Sequence, residues 1–285
     1  MITARKVAGC GLWAMACAQT ALWCAAVPLA VVKATVSDRD GGAAVPSSFA
    51  HDPGETMFFS FQVDGFKVSS GERVHLSYKI DAFDSHGTRL MEPVASEIEE
   101  SLAPEDKNWK PTVRQEITIP PLADSGAYKI VISVTDILAA NATATKEVPF
   151  EVRGRHVDPS DKLAIRNIRF FRGEDDREAL AKAAYRPGDA VWARFDIIGY
   201  KYGDGNAIDV GYDVAVLSPS GKVLYTQPQA GADRSQSFYP KRYVPAIFSL
   251  ATKRDTRPGE YTILVTAHDG VGSQTSEARQ SFTIE

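Results

Sequence analysis

The sequence predicts an all-β protein: two tandem antiparallel β-sandwich domains from an internal duplication, behind an N-terminal export signal. Three observations lead there. The first is a self-match. At a constant offset of 134, residues 29–91 align without a gap on residues 163–225, and 12 of these 63 pairs are identical. Pro53-Gly54 falls on Pro187-Gly188, Phe61 on Phe195, Gly65 on Gly199, Lys67 on Lys201, Gly71 on Gly205, Tyr78 on Tyr212, Gly87 on Gly221 and Leu90 on Leu224. Similarity at one fixed period marks a repeated structural unit. The second is alternation. Met57, Phe59, Phe61 and Val63 match Val191, Ala193, Phe195 and Ile197; Val74, Leu76, Tyr78 and Ile80 match Ile208, Val210, Tyr212 and Val214, with mostly polar residues between. A period of two with one apolar face is a half-buried strand. The third is punctuation: Pro53-Gly54, Ser70-Gly71, Asp84-Ser-His-Gly87 and Asp124-Ser-Gly126 separate the runs at a spacing typical of sandwiches and barrels.

From the N-terminus, Arg5 and Lys6 precede an uncharged apolar stretch from Val7 to Val32. This is the pattern of a secretory signal peptide. Small residues permit cleavage after Ala18 or Ala26, and a cut after Ala26 leaves a first strand near Leu29 whole. Residues 1–26 are therefore read as the signal peptide. The same 26 uncharged residues also suit an uncleaved anchor, the one case in which the protein would be tied to a membrane. Val7-Ala8-Gly9-Cys10 resembles a lipobox but precedes the apolar stretch instead of following it. In every case the positive N-terminus stays cytoplasmic and the bulk is exported, to a periplasm, a cell surface or the medium. The three cysteines, Cys10, Cys17 and Cys24, all lie in this segment. The rest must hold together by burial alone, which domains of this size manage, and it offers no thiol chemistry.

The first copy spans 29–152. After one residue is lost, the match resumes at an offset of 133: Gly126-Ala-Tyr128 falls on Gly259-Glu-Tyr261, and Ile130, Ile132, Val134 and Asp136 on Ile263, Val265, Ala267 and Asp269. Val148-Phe150-Val152 and Gln280-Phe282-Ile284 close the copies. Ser96–Leu102, with Ser96 as cap, and Arg177–Ala184 are each expected to make a short helical turn. Residues 153–162 (RGRHVDPSDK) form a short polar linker, which predicts an elongated pair of domains with some hinge freedom. The second copy spans 163–285.

Gly-x-Tyr followed by alternating apolar residues, at Tyr128 and Tyr261, resembles the tyrosine corner of immunoglobulin-type sandwiches. Ile130 and Ile263 stand where a disulfide-bonded antibody domain has Cys. Asp52-Pro-Gly-Glu-Thr56 and Arg186-Pro-Gly-Asp-Ala190 are similar to openings of bacterial immunoglobulin-like and macroglobulin-like modules. The resemblance implies tandem immunoglobulin-like sandwiches and no particular activity; a macroglobulin-type thioester would need a cysteine that neither copy has.

The net charge of −4 exerts no general pull on nucleic acid. It hides an asymmetry. Residues 29–152 carry 11 Lys/Arg against 19 Asp/Glu, and residues 163–285 carry 16 against 15. The five histidines are scattered without metal-ligand spacing, and no nucleophile elbow or phosphate loop is present. Asp136 and Asp269 recur at strand ends and are read as turn residues capping their own backbone. Asp38-Arg-Asp40-Gly41 and Glu174-Asp175-Asp176 carry carboxylates that suit calcium but lack full loop spacing, and are read as polar loops. Asn141-Ala-Thr143 matches a glycosylation sequon and is read as a hairpin loop. No enzyme, catalytic residue, metal site or cofactor is expected.

The aromatic residues are more informative. Tyr78 and Tyr128 are the tyrosines of copy one, whereas copy two has eight. Core aromatics should recur at the repeat offset, as Tyr200 does with Phe66. The set that does not recur or that faces outward (Tyr185, Trp192, Tyr202, Tyr225, Phe238, Tyr239 and Tyr243) is predicted to form a binding surface. The competing reading is that these rings pack against the other domain or long loops. Residues 92–106 are acidic and residues 235–243 (SQSFYPKRY) basic and aromatic, a complementarity that two molecules could use head to tail, or two solvated loops that drifted apart. The expected function is a non-enzymatic exported binding or scaffolding protein of the cell envelope, its partner a protein or a glycan. One alternative is a carbohydrate-binding module using the copy-two aromatics; another is an accessory to an envelope hydrolase, or an enzyme with an unfamiliar site.

Overall fold

The computed structural model describes residues 27–285 apart from Ser47, Pro104 and Lys107; the expected signal peptide or anchor at 1–26 lies outside the described residues. Among the described residues no helix is long and apolar enough to cross a membrane. The first half forms strands β1 (Ala30–Ser37), β2 (Ala50–His51), β3 (Thr56–Asp64), β4 (Arg73–Phe83), β5 (Val94–Ser101), β6 (Thr112–Thr118), β7 (Gly126–Asp136) and β8 (Ala142–Val152). The second forms β9 (Ala164–Phe171), β10 (Ala184–Tyr185), β11 (Ala190–Ile198), β12 (Ile208–Leu217), β13 (Val223–Ser235), β14 (Tyr243–Ala251), β15 (Gly259–Asp269) and β16 (Gln274–Ile284).

Each strand has a counterpart eight strands later. A three-stranded sheet β1-β3-β6 faces a five-stranded sheet β2-β8-β7-β4-β5, and β9-β11-β14 faces β10-β16-β15-β12-β13 in the same way. All pairings are antiparallel except β2 with β8 and β10 with β16. The chain is thus all-β, with two tandem immunoglobulin-like sandwiches. Alternation is the cause. In β3 the side chains of Met57, Phe59, Phe61 and Val63 are buried and meet Val74, Leu76, Ile130 and Ile132 of the opposite sheet. Val191, Ala193, Phe195 and Ile197 do the same in the second core. Full burial of such side chains stabilises by roughly 1.5–3 kcal/mol each. Phe61 meets Tyr78 edge-on at 6.0 Å, and Phe195 meets Tyr212 at 5.1 Å.

Both tyrosine corners form. Tyr128 Oη donates to the Asp124 carbonyl and Tyr261 Oη to that of Arg257, each at 2.8 Å. Gly65 and Gly199 share a φ of +71° and press against the chain entering each sandwich. A Cβ there would lie 2.1 Å from the Pro28 carbonyl oxygen or 2.0 Å from that of Lys162, so the repeat keeps glycine for space as well as for backbone freedom. Asn141 sits at positive φ with Ala140 in the β7–β8 turn, as the hairpin reading expects.

Two expectations are corrected, and one sequence match is not kept in three dimensions. Ser96–Ser101 belongs to strand β5 and makes no helical turn. Val94 and Ile98 face the core, while Glu97 and Glu99 meet His75 and Arg73 across the pair, so tertiary pairing overrides the local cap signal. Residues 177–183 are irregular, with Leu180 packed on the core. Leu90 and Leu224 match in sequence only. Leu224 stands at the register shift between Val216 and Leu217 and is 56% exposed, where Leu90 is buried.

Candidate functional site

Two regions collect the polar and aromatic residues that distinguish the copies. The first is the junction between the sandwiches. Asp84 caps its own turn, its Oδ1 accepting from the N–H groups of His86 (2.9 Å) and Thr88 (2.7 Å). Its Oδ2 reaches across to the second copy, accepting from Tyr239 Oη at 2.9 Å and Arg242 Nη2 at 2.7 Å. Burial raises the Asp84 carboxyl, but the Thr88 N–H, Arg242, Tyr239 and the His86 N–H together hold it below its ordinary value. The ring of Tyr239 is buried in the core of the first sandwich. Behind this contact, Tyr200 Oη (2.6 Å) and Tyr202 Oη both donate to the Lys241 carbonyl, and Lys241 Nζ is held by Asp233 (2.6 Å) and Ser235 (2.8 Å). The basic, aromatic loop 235–243 thus serves a contact within one chain, against the turn at Asp84.

The linker is pinned on both sides. Ser125 Oγ donates to the Gly154 carbonyl at 2.6 Å, and His156 Nδ1 lies 3.2 Å from Asp124 Oδ2. Arg155 pairs with Asp196, and its guanidinium lies over the Tyr243 ring at 5.3 Å. The expected hinge freedom is opposed by these contacts.

The second region is the outer face of the β9-β11-β14 sheet, where a groove of about 510 Å³ is lined by Arg155 and His156 of the linker among others. Its floor carries Phe171, Pro245, Ala246 and Ile247. Arg169 and Arg194 are direct cross-strand partners in β9 and β11 and both line it. The Arg194 guanidinium lies 4.2 Å above the Phe171 ring; it donates through Nη1 to the Asp176 carbonyl (2.7 Å) and through Nη2 to that of Glu174. Those carbonyls belong to the acidic loop weighed above for calcium, so a guanidinium holds groups that a cation would need. Asp196 is 1% exposed; Oδ2 is bonded by Arg155 and by Asn167 at 2.9 Å, while Oδ1 has no donor among the described residues.

The first copy offers an internal comparison. Its matching groove, about 350 Å³, is lined by Phe58, Ser60, Thr112, Arg114 and Glu116 among others. Thr35 and Ser60 occupy the cross-strand positions of Arg169 and Arg194, and their hydroxyls hydrogen-bond at 3.2 Å. In copy two Phe58 has become Trp192 and Ser37 has become Phe171.

The aromatic residues predicted as a binding surface do not assemble into one. Tyr185, Tyr239 and Tyr243 are buried, contrary to the expectation. Tyr185 fills the second core against Phe170 and Phe282 and donates to the Phe171 carbonyl at 2.7 Å; burial pushes its hydroxyl up to about 12. Tyr239 and Tyr243 serve the junction and the linker. The four that reach solvent stand in three places. Trp192 is half-buried on the outer face of β11. Tyr225 leans on Phe248 from strand β13. Tyr202 and Phe238 stand by the loop that meets the first sandwich. The groove residues Arg155, Arg169, Arg194 and Asp196 escape a search for aromatics; the alignment of Arg169 and Arg194 with Thr35 and Ser60 was the signal that could have found two of them.

The two recurring strand-end carboxylates are structural. Asp136 Oδ1 accepts from the N–H groups of Leu138 and Ala139, and Oδ2 from Lys67 N–H at 2.7 Å. Asp269 repeats this with Val271, Gly272 and Lys201 N–H.

No protein-family profile and no curated protein matches the chain. Among solved structures it is similar to the C-terminal domain of the Streptococcus agalactiae AgI/II polypeptide BspA, at 11% identity over 90% of this chain and 100% of that one, TM-score 0.30. It is similar also to the C-terminal domain of the Streptococcus pyogenes antigen I/II-family protein AspA, at 10% identity over 90% and 99%, TM-score 0.32. Red sea bream transglutaminase follows at 9% identity over 89% and 31%, TM-score 0.26. TM-scores near 0.3 assign neither a family nor an activity.

Proposed function

We propose that this is an exported, non-enzymatic binding protein of the cell envelope in which the first sandwich is a rigid support and the second presents the contact surface. One observation carries the reading: on the outer face of the three-stranded sheet, Thr35, Ser37, Phe58 and Ser60 of copy one give way to Arg169, Phe171, Trp192 and Arg194 at the same positions of copy two. Copies born together share a core, so a face that differs is free to take on a task. The fate of the carboxylates agrees. Asp84, Asp136, Asp196 and Asp269 are engaged with backbone N–H groups, Tyr239 or arginines within the chain, which is scaffold work.

The test is retention of envelope extract on immobilised full chain. Replacing Trp192, Arg169 and Arg194 with the copy-one residues (Trp192→Phe, Arg169→Thr, Arg194→Ser) should abolish retention, and Phe58→Ala in copy one should leave it intact. Retention that survives the triple replacement, or turnover of the retained material, overturns the reading.

A further inference from the structure

We infer that the groove on the β9-β11-β14 face binds an anionic saccharide, its acid group held between Arg169 and Arg194. This rests on the proposed function and names the ligand class. Arg169 and Arg194 stand directly opposite each other on neighbouring strands. Like charges at that position destabilise a sheet. Neither makes an ion pair among the described residues; Arg194 is met by the Phe171 ring and two neutral carbonyls, so no carboxylate offsets the two charges. The first copy shows that the fold has no need of them, because Thr35 and Ser60 close the same cross-strand position with a neutral hydrogen bond. A pair that costs stability and that the same backbone dispenses with in its twin suits an anion placed between the guanidiniums. Arg194 is already oriented by Phe171 and the Glu174 and Asp176 carbonyls, so its direction is set before a ligand arrives. Arginine's planar fork matches a carboxylate or sulfate.

The surroundings select a sugar over other polyanions. Pro245 and Ile247 line the groove beside the charges, and Trp192 lies on the same outer face two residues before Arg194; apolar surface with polar neighbours suits the C–H face of a sugar ring. Asp196, its Oδ1 buried and without a donor among the described residues, lines the same groove. An acidic peptide is served less well. Extended peptides bind by adding to a sheet edge, whereas this groove lies over the central strand β11, whose backbone groups are paired on both sides.

The test uses the purified full chain with oligogalacturonate, its fully methyl-esterified form, a chondroitin sulfate oligosaccharide and poly-glutamate. One or both acidic saccharides should bind, the ester should not, and binding should weaken as salt rises. Binding of oligogalacturonate alone assigns a carboxylate, and of chondroitin sulfate alone a sulfate. Arg169→Thr should weaken binding at least tenfold without lowering Tm, since the Arg169 side chain makes no hydrogen bond among the described residues and its loss removes a repulsion. Equal binding of ester and acid, equal or stronger binding of poly-glutamate, unchanged affinity in Arg169→Thr, or no binding of either acidic saccharide each overturns the inference. Envelope retention that is lost in the triple replacement would still stand in those cases, so failure of the ligand class is told apart from failure of the binding surface.

Discussion

Asp84 shows how one residue can separate two copies of a fold. Its counterpart Ser218 caps the same turn, its Oγ accepting from Lys222 N–H at 3.1 Å, and has no second oxygen to reach outward. Asp84 has one, and with it takes Tyr239 and Arg242. Asp84→Ser should therefore preserve the turn and lose the contact. The expected cost is about 1.5–3 kcal/mol, as for hydrogen bonds to charged groups, read from urea denaturation; a change no larger than that of Ser85→Ala would deny the contact a stabilising role. A pH dependence follows from the same carboxyl. Its folded value lies below its ordinary one, so its contribution is full above the unfolded value of about 3.9 and is lost as pH falls through the folded value. Wild type should lose stability on acidification below about pH 4 more steeply than Asp84→Ser. Identical slopes in the two proteins would contradict this.

At the scale of elements, strands were legible where burial alone decides them. The β3 and β11 patterns set which side chains face inward, and a one-residue slip would reverse that. Truncation of Phe61 or Phe195 to Ala should each cost about 3–5 kcal/mol, as for large aromatic cores, measured by thermal or urea melts; a loss below about 1 kcal/mol would mean that these rings do not anchor the two cores. Segments governed by neighbours were less legible. Ser96–Leu102 reads as a capped helical turn because Ser and Glu stand where a cap would want them. It becomes a strand because Arg73–Ile80 offers an unpaired edge and basic partners for Glu97 and Glu99. Leu224 matches Leu90 in sequence but stands exposed at a register shift, which leaves no mark in a residue-by-residue alignment.

For the whole molecule, the linker and the loop 235–243 act together. Arg155 is anchored on the second sandwich and His156 beside Asp124 of the first, while Tyr239 enters the first core. These contacts should make the two sandwiches tumble as one body. Backbone NMR relaxation should give a single correlation time for both halves, and Tyr239→Ala should split it into two, shorter in each half. Two independent correlation times in the unaltered protein would show the junction to be open. A rigid pair also gives the groove a fixed direction relative to the first sandwich.

The duplication, the inward faces of β3, β4 and β7 and of their copies, both tyrosine corners and the turn role of Asp136 and Asp269 were determined by the sequence alone. Each is written in local spacing or repeated offset, and each depends on burial or on a residue's own backbone. The fate of the extra tyrosines was decided only in three dimensions. Whether Tyr239 faces solvent or another core depends on where a loop of one sandwich lands on the other, and nothing within that loop records it. The groove was hidden for the same reason. Arg169 and Arg194 lie 25 residues apart, and they oppose each other only once β9 and β11 have paired in register, bulge included.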